Sequence, residues 1–149
     1  MMIVTDIRSA AKFKQTVLII DDQVTALEIH QAILKSLRPN LNIVTMTSPL
    51  EALKWAEHKQ IDLIITDFSM AEMNGMQFVK TINQTNSAGI VPIIVITVLK
   101  DKALHKALIA SGATACLTKP VAASSLRKVA DFLLNKSKQF YNDQQIAIN

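Results

Sequence analysis

The chain has 149 residues, half of them hydrophobic, a formal net charge of +4 and one cysteine. That length suits one domain with a full hydrophobic core, and a lone cysteine rules out an internal disulfide and fits a reducing cytoplasm. No apolar run approaches the ~18 residues of a membrane span, and the early charges at Asp6 and Arg8 argue against a secretory signal. The positive surplus sits at the two ends, in Arg8, Lys12 and Lys14 and in Arg127, Lys128, Lys136 and Lys138, while residues 16–120 balance. No basic surface with interleaved aromatics is visible, so direct nucleic-acid binding by this domain is not expected.

Thr16 to Ile20 is an apolar run that ends in the acidic pair Asp21-Asp22 and reads as a buried strand. Val24, Leu27, Ile33, Leu34 and Leu37 then mark a helical stripe closed by Arg38-Pro39-Asn40. Ile43 to Thr47 reads as a second strand. Ser48-Pro49-Leu50-Glu51 has the form of a capping box with proline at the first helical position, and the helix it opens runs through Leu53 and Trp55 to the region of Glu57. Ile61 to Asp67 is a third strand. A polar loop and Gly75 lead to a helix bearing Met76, Val79 and Ile82, and Asn83 to Gly89 reads as a turn-rich connection. Pro92 to Thr97 is a fourth strand. Asp101 caps a helix carrying Leu104, Leu108 and Ile109, which Gly112 terminates. Ala115 to Thr118 is a short fifth strand before Lys119-Pro120, and the last helix carries Leu126, Val129, Phe132 and Leu133.

Five β-α units with short connections favour an α/β fold, a right-handed parallel sheet covered by helices on both faces. Strands rich in Val and Ile without alternation fit burial on both sides. Residues 1–15 have no clear period and form an N-terminal extension, residues 16–134 form the domain, and residues 135–149 are a polar tail or the start of a linker, with Phe140 and Tyr141 available to pack back.

In an open parallel sheet the carboxyl ends of the strands share one edge, where ligands bind. Asp21, Asp22, Asp67, the Thr97 hydroxyl and the Lys119 ammonium would converge there. Three crowded carboxylates repel one another unless a cation sits among them, and oxygen-only ligands suit Mg²⁺. Other chemistry is poorly served. Three glycines, at 75, 89 and 112, cannot write a P-loop or a dinucleotide fingerprint, and no G-x-S-x-G elbow occurs. His30, His58 and His105 lie on three different helices without ligand spacing and read as surface or partly packed residues. Cys116 reads as a small core residue.

The runs Val17-Leu18-Ile19-Ile20-Asp21-Asp22, Asp67-Phe68-Ser69-Met70-Ala71-Glu72-Met73-Asn74-Gly75, Ile96-Thr97 and Lys119-Pro120 match, in order and spacing, the receiver domain of two-component response regulators, which the chain resembles over residues 16 to 134. The resemblance implies a flavodoxin-like (βα)5 fold with strand order 2-1-3-4-5. It implies that Asp67 accepts a phosphoryl group from a sensor histidine kinase or a phosphotransfer protein. Asp21, Asp22, Asp67 and the main-chain carbonyl of Ser69 would hold Mg²⁺, Lys119 would pair with the phosphoryl group, and the Thr97 hydroxyl would move to bond it. Such a domain is a signalling switch, not an enzyme beyond catalysing its own phosphorylation and dephosphorylation. Its expected partners are the phosphoryl donor, a downstream protein target and, as a further possibility, a second copy in a homodimer; no membrane partner is expected.

Three positions depart from the family pattern. Ala71 stands where proline is usual, Val98 where a smaller residue is usual, and Cys116 where a Tyr or Phe ring commonly turns with the threonine. A receiver-like interaction module working independently of phosphorylation is therefore the alternative reading. A phosphohydrolase of the haloacid dehalogenase type is disfavoured, because it needs a second Asp where Ser69 stands. The sequence leaves open a single-domain regulator and a receiver belonging to a longer protein.

Overall fold

Branched apolar residues dominate the strands because they pack well on a pleated surface, and the fold follows from where their two faces point. A computed structural model describes residues 14–85 and 90–148. Strands β1 (Thr16–Ile20), β2 (Asn42–Met46), β3 (Leu63–Asp67), β4 (Ile93–Thr97) and β5 (Ala115–Thr118) alternate with helices α1 (Val24–Leu37), α2 (Pro49–Ala56), α3 (Gly75–Thr85), α4 (Lys102–Ala110) and α5 (Ala123–Ile148). Every strand pairing is parallel, and the order across the sheet is β2-β1-β3-β4-β5. This is the expected flavodoxin-like, doubly wound arrangement.

Successive side chains of a strand point to opposite faces. Leu18, Ile64 and Val95 join a core layer with Ala52 of α2, Phe78 of α3 and Leu108 of α4. Ile19, Ile65 and Ile96 join a second layer with Leu34 of α1 and Leu126 and Leu134 of α5. Both β3 and β4 are buried at every position, whereas the edge strands β2 and β5 are only partly covered.

Local chemistry sets the helix ends. The Glu51 N–H donates to Ser48 Oγ at 3.1 Å, with Pro49 in the first turn of α2. The Ala103 N–H donates to Asp101 Oδ1 at 2.9 Å at the start of α4. A further box, unread in the sequence, opens α3: the Gln77 N–H donates to Asn74 Oδ1 and the Asn74 N–H to Gln77 Oε1, both at 2.9 Å. After α4, Gly112 adopts φ +119°, and a Cβ there would lie 1.7 Å from the Asn83 Nδ2 atom that occupies the space. Asn83 to Thr85, expected in the connection, continue α3; residues 86–89, including Gly89, lie outside the described residues.

Two helical stripes differ from expectation. On α1 the buried positions are Leu27, His30 and Leu34, spaced by three and four, while Val24 is exposed. On α5, Leu133 and Leu134 are buried and Phe132 faces outward beneath Lys136, whose Nζ lies 4.9 Å from the ring centre. The backbone of α5 also continues through residues 135–148, the stretch read as tail or linker. Residues 1–13 of the expected extension, Asn149 and the side chains of Phe140 and Tyr141 lie outside the described residues.

The amino edge of the sheet is closed by polar side chains. Arg38, just past α1, donates to Gln15 Oε1 at 2.7 Å, to Asp131 Oδ1 at 2.8 Å and to Asn135 Oδ1. Gln15 Nε2 donates to the Leu134 carbonyl at 2.8 Å. Asp62 Oδ2 accepts the Thr16 N–H at 2.8 Å, and Ser137 Oγ donates to the Asp62 carbonyl at 3.0 Å. Those contacts fasten the first half of α5 beneath β1 and β3.

Candidate functional site

The sheet register brings the candidate residues together. Ile20 of β1 pairs with Thr66 of β3, so Asp21 and Asp67 emerge side by side at the carboxyl edge. Asp67 pairs with Ile96, next to Thr97, and Thr97 pairs with Thr118, next to Lys119. Asp67 and Thr97 are the last paired residues of their strands, and Asp21 and Lys119 follow the last paired residues of theirs by one, so the ladders fix their backbones.

Carboxylate oxygens of Asp21, Asp22 and Asp67 lie within 4.8 Å of one another. Asp21 and Asp67 are buried, at 1% and 8% exposure, and Asp22 is exposed. Lys119 Nζ stands 2.9 Å from Asp67 Oδ1 and 3.6 Å from Asp21 Oδ2. The Gln23 N–H donates to Asp21 Oδ1 at 2.9 Å. Asp21 Oδ2 is buried without a hydrogen-bond partner among the described residues. Neither Asp21 nor Asp22 caps α1; Gln23 takes that position without a side-chain bond.

Behind Asp67 the chain turns tightly. The Gly75 N–H donates to the Phe68 carbonyl at 2.7 Å, and a Cβ on Gly75 would sit 3.0 Å from Phe68 Cα and 3.2 Å from the Asp67 carbonyl oxygen. A side chain at Gly75 would require Phe68 or the Asp67 carbonyl to give way by a few tenths of an ångström, so glycine suits this close start of α3. Ser69 is exposed in the intervening loop.

Burial pushes the Asp67 carboxyl above the usual carboxylate range; the Lys119 hydrogen bond pulls it back in part, and the charge of Asp21 adds to the rise. For Lys119, burial works against the ammonium, but the hydrogen bond and attraction from Asp67 and the pull of Asp21 outweigh it, so its pKa is raised. One ammonium does not neutralise three carboxylates. An all-oxygen donor set with surplus negative charge and an orphaned buried oxygen fits a hard divalent cation such as Mg²⁺.

Thr97 is also buried, and its Oγ1 accepts the Leu99 N–H at 3.1 Å. Its carbonyl accepts the Lys119 N–H at 2.7 Å. The hydroxyl is therefore tied to the loop after β4 while its backbone is tied to the lysine's. Of the histidines read as surface or partly packed, His105 is partly packed and His30 is not at the surface. His30 is buried, and its pKa is lowered by that burial and by the charge of Lys119, with Asp67 opposing; its place between Leu27 and Leu34 was the available signal. His105 is half-buried and donates from Nε2 to the Leu99 carbonyl at 2.8 Å. Cys116, expected in the core, is half-buried and lines an open cleft of about 470 Å³ with His105, Lys106, Ile109 and Ala110. No helix among the described residues is long and apolar enough to cross a membrane.

Residues 17–131 match the family model of the response regulator receiver domain. The chain is 29% identical over 133 residues to the cyclic di-GMP phosphodiesterase response regulator RpfG of Xanthomonas campestris pv. campestris, covering 89% of the chain and 35% of that protein. It is 32% identical over 124 residues to the putative two-component response regulator ARR13 of Arabidopsis thaliana, covering 81% of the chain and 21% of that relative. The chain thus spans 35% or less of the length of these curated relatives. The solved structure of the chemotaxis response regulator CheY4 of Vibrio cholerae is similar with a TM-score of 0.73 and 26% identity, covering 81% of this chain and 99% of that one. With a family match that runs from β1 into α5 and a sheet of the same order, the chain belongs to the response regulator receiver domains.

Proposed function

We propose that Asp67 is the phosphoacceptor of this receiver and that its modification switches contacts with a downstream protein. The observation that carries the reading is the Asp67 carboxylate, buried at a strand end with Lys119 Nζ at 2.9 Å, beside Asp21 Oδ2, which is buried without a hydrogen-bond partner among the described residues. In the transfer an Asp67 oxygen attacks the phosphorus of a phosphohistidine on a sensor kinase or phosphotransfer protein. The new O–P bond forms as the N–P bond breaks, and the electron pair leaves on the donor's imidazole nitrogen. The product is an acyl phosphate. Two anions must meet for this to happen, so positive charge held in advance lowers the barrier.

Lys119 supplies one such charge and can follow the phosphoryl oxygens once they replace the carboxylate as its partner. Asp21, Asp22, Asp67 and the Ser69 main-chain carbonyl would hold Mg²⁺, which when bound offsets phosphoryl charge. Thr97 offers a hydroxyl hydrogen to a phosphoryl oxygen. Hydrolysis of the acyl phosphate would return the domain to its starting state, which makes its only turnover that of its own modification. On this reading residues 16–134 form the receiver and residues 135–149 extend beyond it. The diguanylate chemistry in RpfG's name belongs to that larger protein.

The test is incubation of the full chain with acetyl phosphate and Mg²⁺, followed by intact and peptide mass spectrometry. One phosphoryl group is expected on Asp67, lost on chelation of Mg²⁺ during the reaction and absent from Asp67→Asn, whose amide is no comparable nucleophile. Labelling that persists in Asp67→Asn would place the acceptor elsewhere.

A further inference from the structure

The loop between β4 and α4 is short, and packing does little to fix it. Val98 and Leu99 are 62% and 44% exposed. Hydrogen bonds position it instead, and two of them meet on the backbone of Leu99. Its N–H donates to Thr97 Oγ1 at 3.1 Å, and its carbonyl accepts from His105 Nε2 at 2.8 Å. A carbonyl carries no proton, so His105 is the donor and its Nε2 is protonated. Through Leu99, a buried hydroxyl at the phosphoacceptor edge is linked to a ring on α4.

His105 also lines the open, shallow cleft shared by Lys106, Ile109, Ala110 and Cys116. On the β5 side Cys116 has one rotatable side-chain bond and no ring, so it has little to move. The movable wall is on the α4 side. We infer that His105 is the positioning residue through which the state of the Asp67 site reaches the cleft between α4 and β5. This rests on the phosphoacceptor reading. When Thr97 turns its hydroxyl to a phosphoryl oxygen on Asp67, the Leu99 N–H loses its acceptor. The loop then shifts, the carbonyl that holds Nε2 goes with it, and the imidazole turns against Ile109 and Cys116. The bistable element is the Leu99 backbone, held by one partner on each side.

The test uses heteronuclear NMR on the full chain with acetyl phosphate and Mg²⁺, with mass spectrometry of Asp67 in the same samples. In the unsubstituted protein the Leu99, Ile109 and Cys116 amides and the His105 ring should all shift on labelling. His105→Leu should still be labelled and keep the Leu99 response but lose the shifts at Ile109 and Cys116; His105→Gln, which retains an N–H donor, should restore them. A labelled His105→Leu with shifts at Ile109 and Cys116 like those of the unsubstituted protein overturns the coupling and leaves the phosphoacceptor reading standing. No label on Asp67 in the unsubstituted protein overturns both. A phosphate-free comparison guards against a poorly folding leucine variant: Thr97→Val keeps the side-chain shape but removes the acceptor, so it should move the His105 ring signals. An unmoved ring there overturns the coupling as well.

Discussion

The two edges of the sheet are both polar, and they are built on opposite terms. At the amino edge Arg38, Gln15, Asp131, Asn135, Asp62 and Ser137 answer one another, and the buried donors and acceptors of the network find partners. At the carboxyl edge three carboxylates face one ammonium, and Asp21 Oδ2 has no hydrogen-bond partner among the described residues. A satisfied network holds a fold in one arrangement, while an unsatisfied buried group costs stability unless something else arrives. Polarity alone does not tell the two edges apart; the balance of charge does.

The contrast can be broken most forcefully with metal. Mg²⁺ at ~100 times its dissociation constant should stabilise the protein by about 2.7 kcal/mol if the unfolded chain does not bind it. Denaturant titrations of Asp21→Asn and Asp67→Asn should lose most of that gain, whereas an Arg38 variant should keep it. An unchanged unfolding midpoint at high Mg²⁺ would remove the site. The next effect belongs to the amino edge. Arg38→Ala strips Gln15 Oε1 of its donor and ends the Asp131 pair, and a loss of about 2 kcal/mol is expected from the buried acceptor left behind. Hydrogen exchange should quicken in α5 from Asp131 to Ser137 while acetyl phosphate still labels Asp67.

The smallest effect is one of pH. Burial holds the Asp62 carboxyl above the ordinary range, with the Thr16 N–H opposing. An acid with a raised folded pKa binds its proton more tightly when folded. Its contribution to stability is therefore present at low pH and is lost as pH rises from the unfolded value through the raised one. Asp62→Asn keeps an acceptor for Thr16 and has nothing to ionise. Its stability should fall less across that window, measured against the unsubstituted protein by urea titration at a series of pH values. A steeper fall would contradict the sign.

The sheet and most of the acidic edge were legible in the sequence because parallel strands buried on both faces are uninterrupted apolar runs, and the residue that ends or follows each run lands on the shared edge. Asp21, Asp67, Thr97 and Lys119 need no more than that to be placed near one another. The amino edge was hidden, because Arg38, Gln15 and Asn135 look like ordinary surface residues until the α1 and α5 ends are brought beneath β1. The extension of α5 was hidden for a related reason. Beyond Leu134 the sequence is polar, and its Ser137 contact with Asp62 is a single hydrogen bond with no apolar period to announce it. The hydrogen bond of His105 was not legible because its partner is a main-chain carbonyl, which leaves no mark on residue type.

The pairing of β1 with β3 has a consequence for how the molecule comes into being. Thr16 and Asp62 are bonded across 46 residues and Gln15 and Leu134 across 119, so the central ladder closes only after large loops have been drawn in, at an entropic cost repaid late. Asp21 and Asp67 come side by side through the β1–β3 pairing. Cation affinity should therefore emerge in refolding together with protection of the β1 and β3 amides, while the Val98 to Asp101 loop gains protection last and opens most often thereafter.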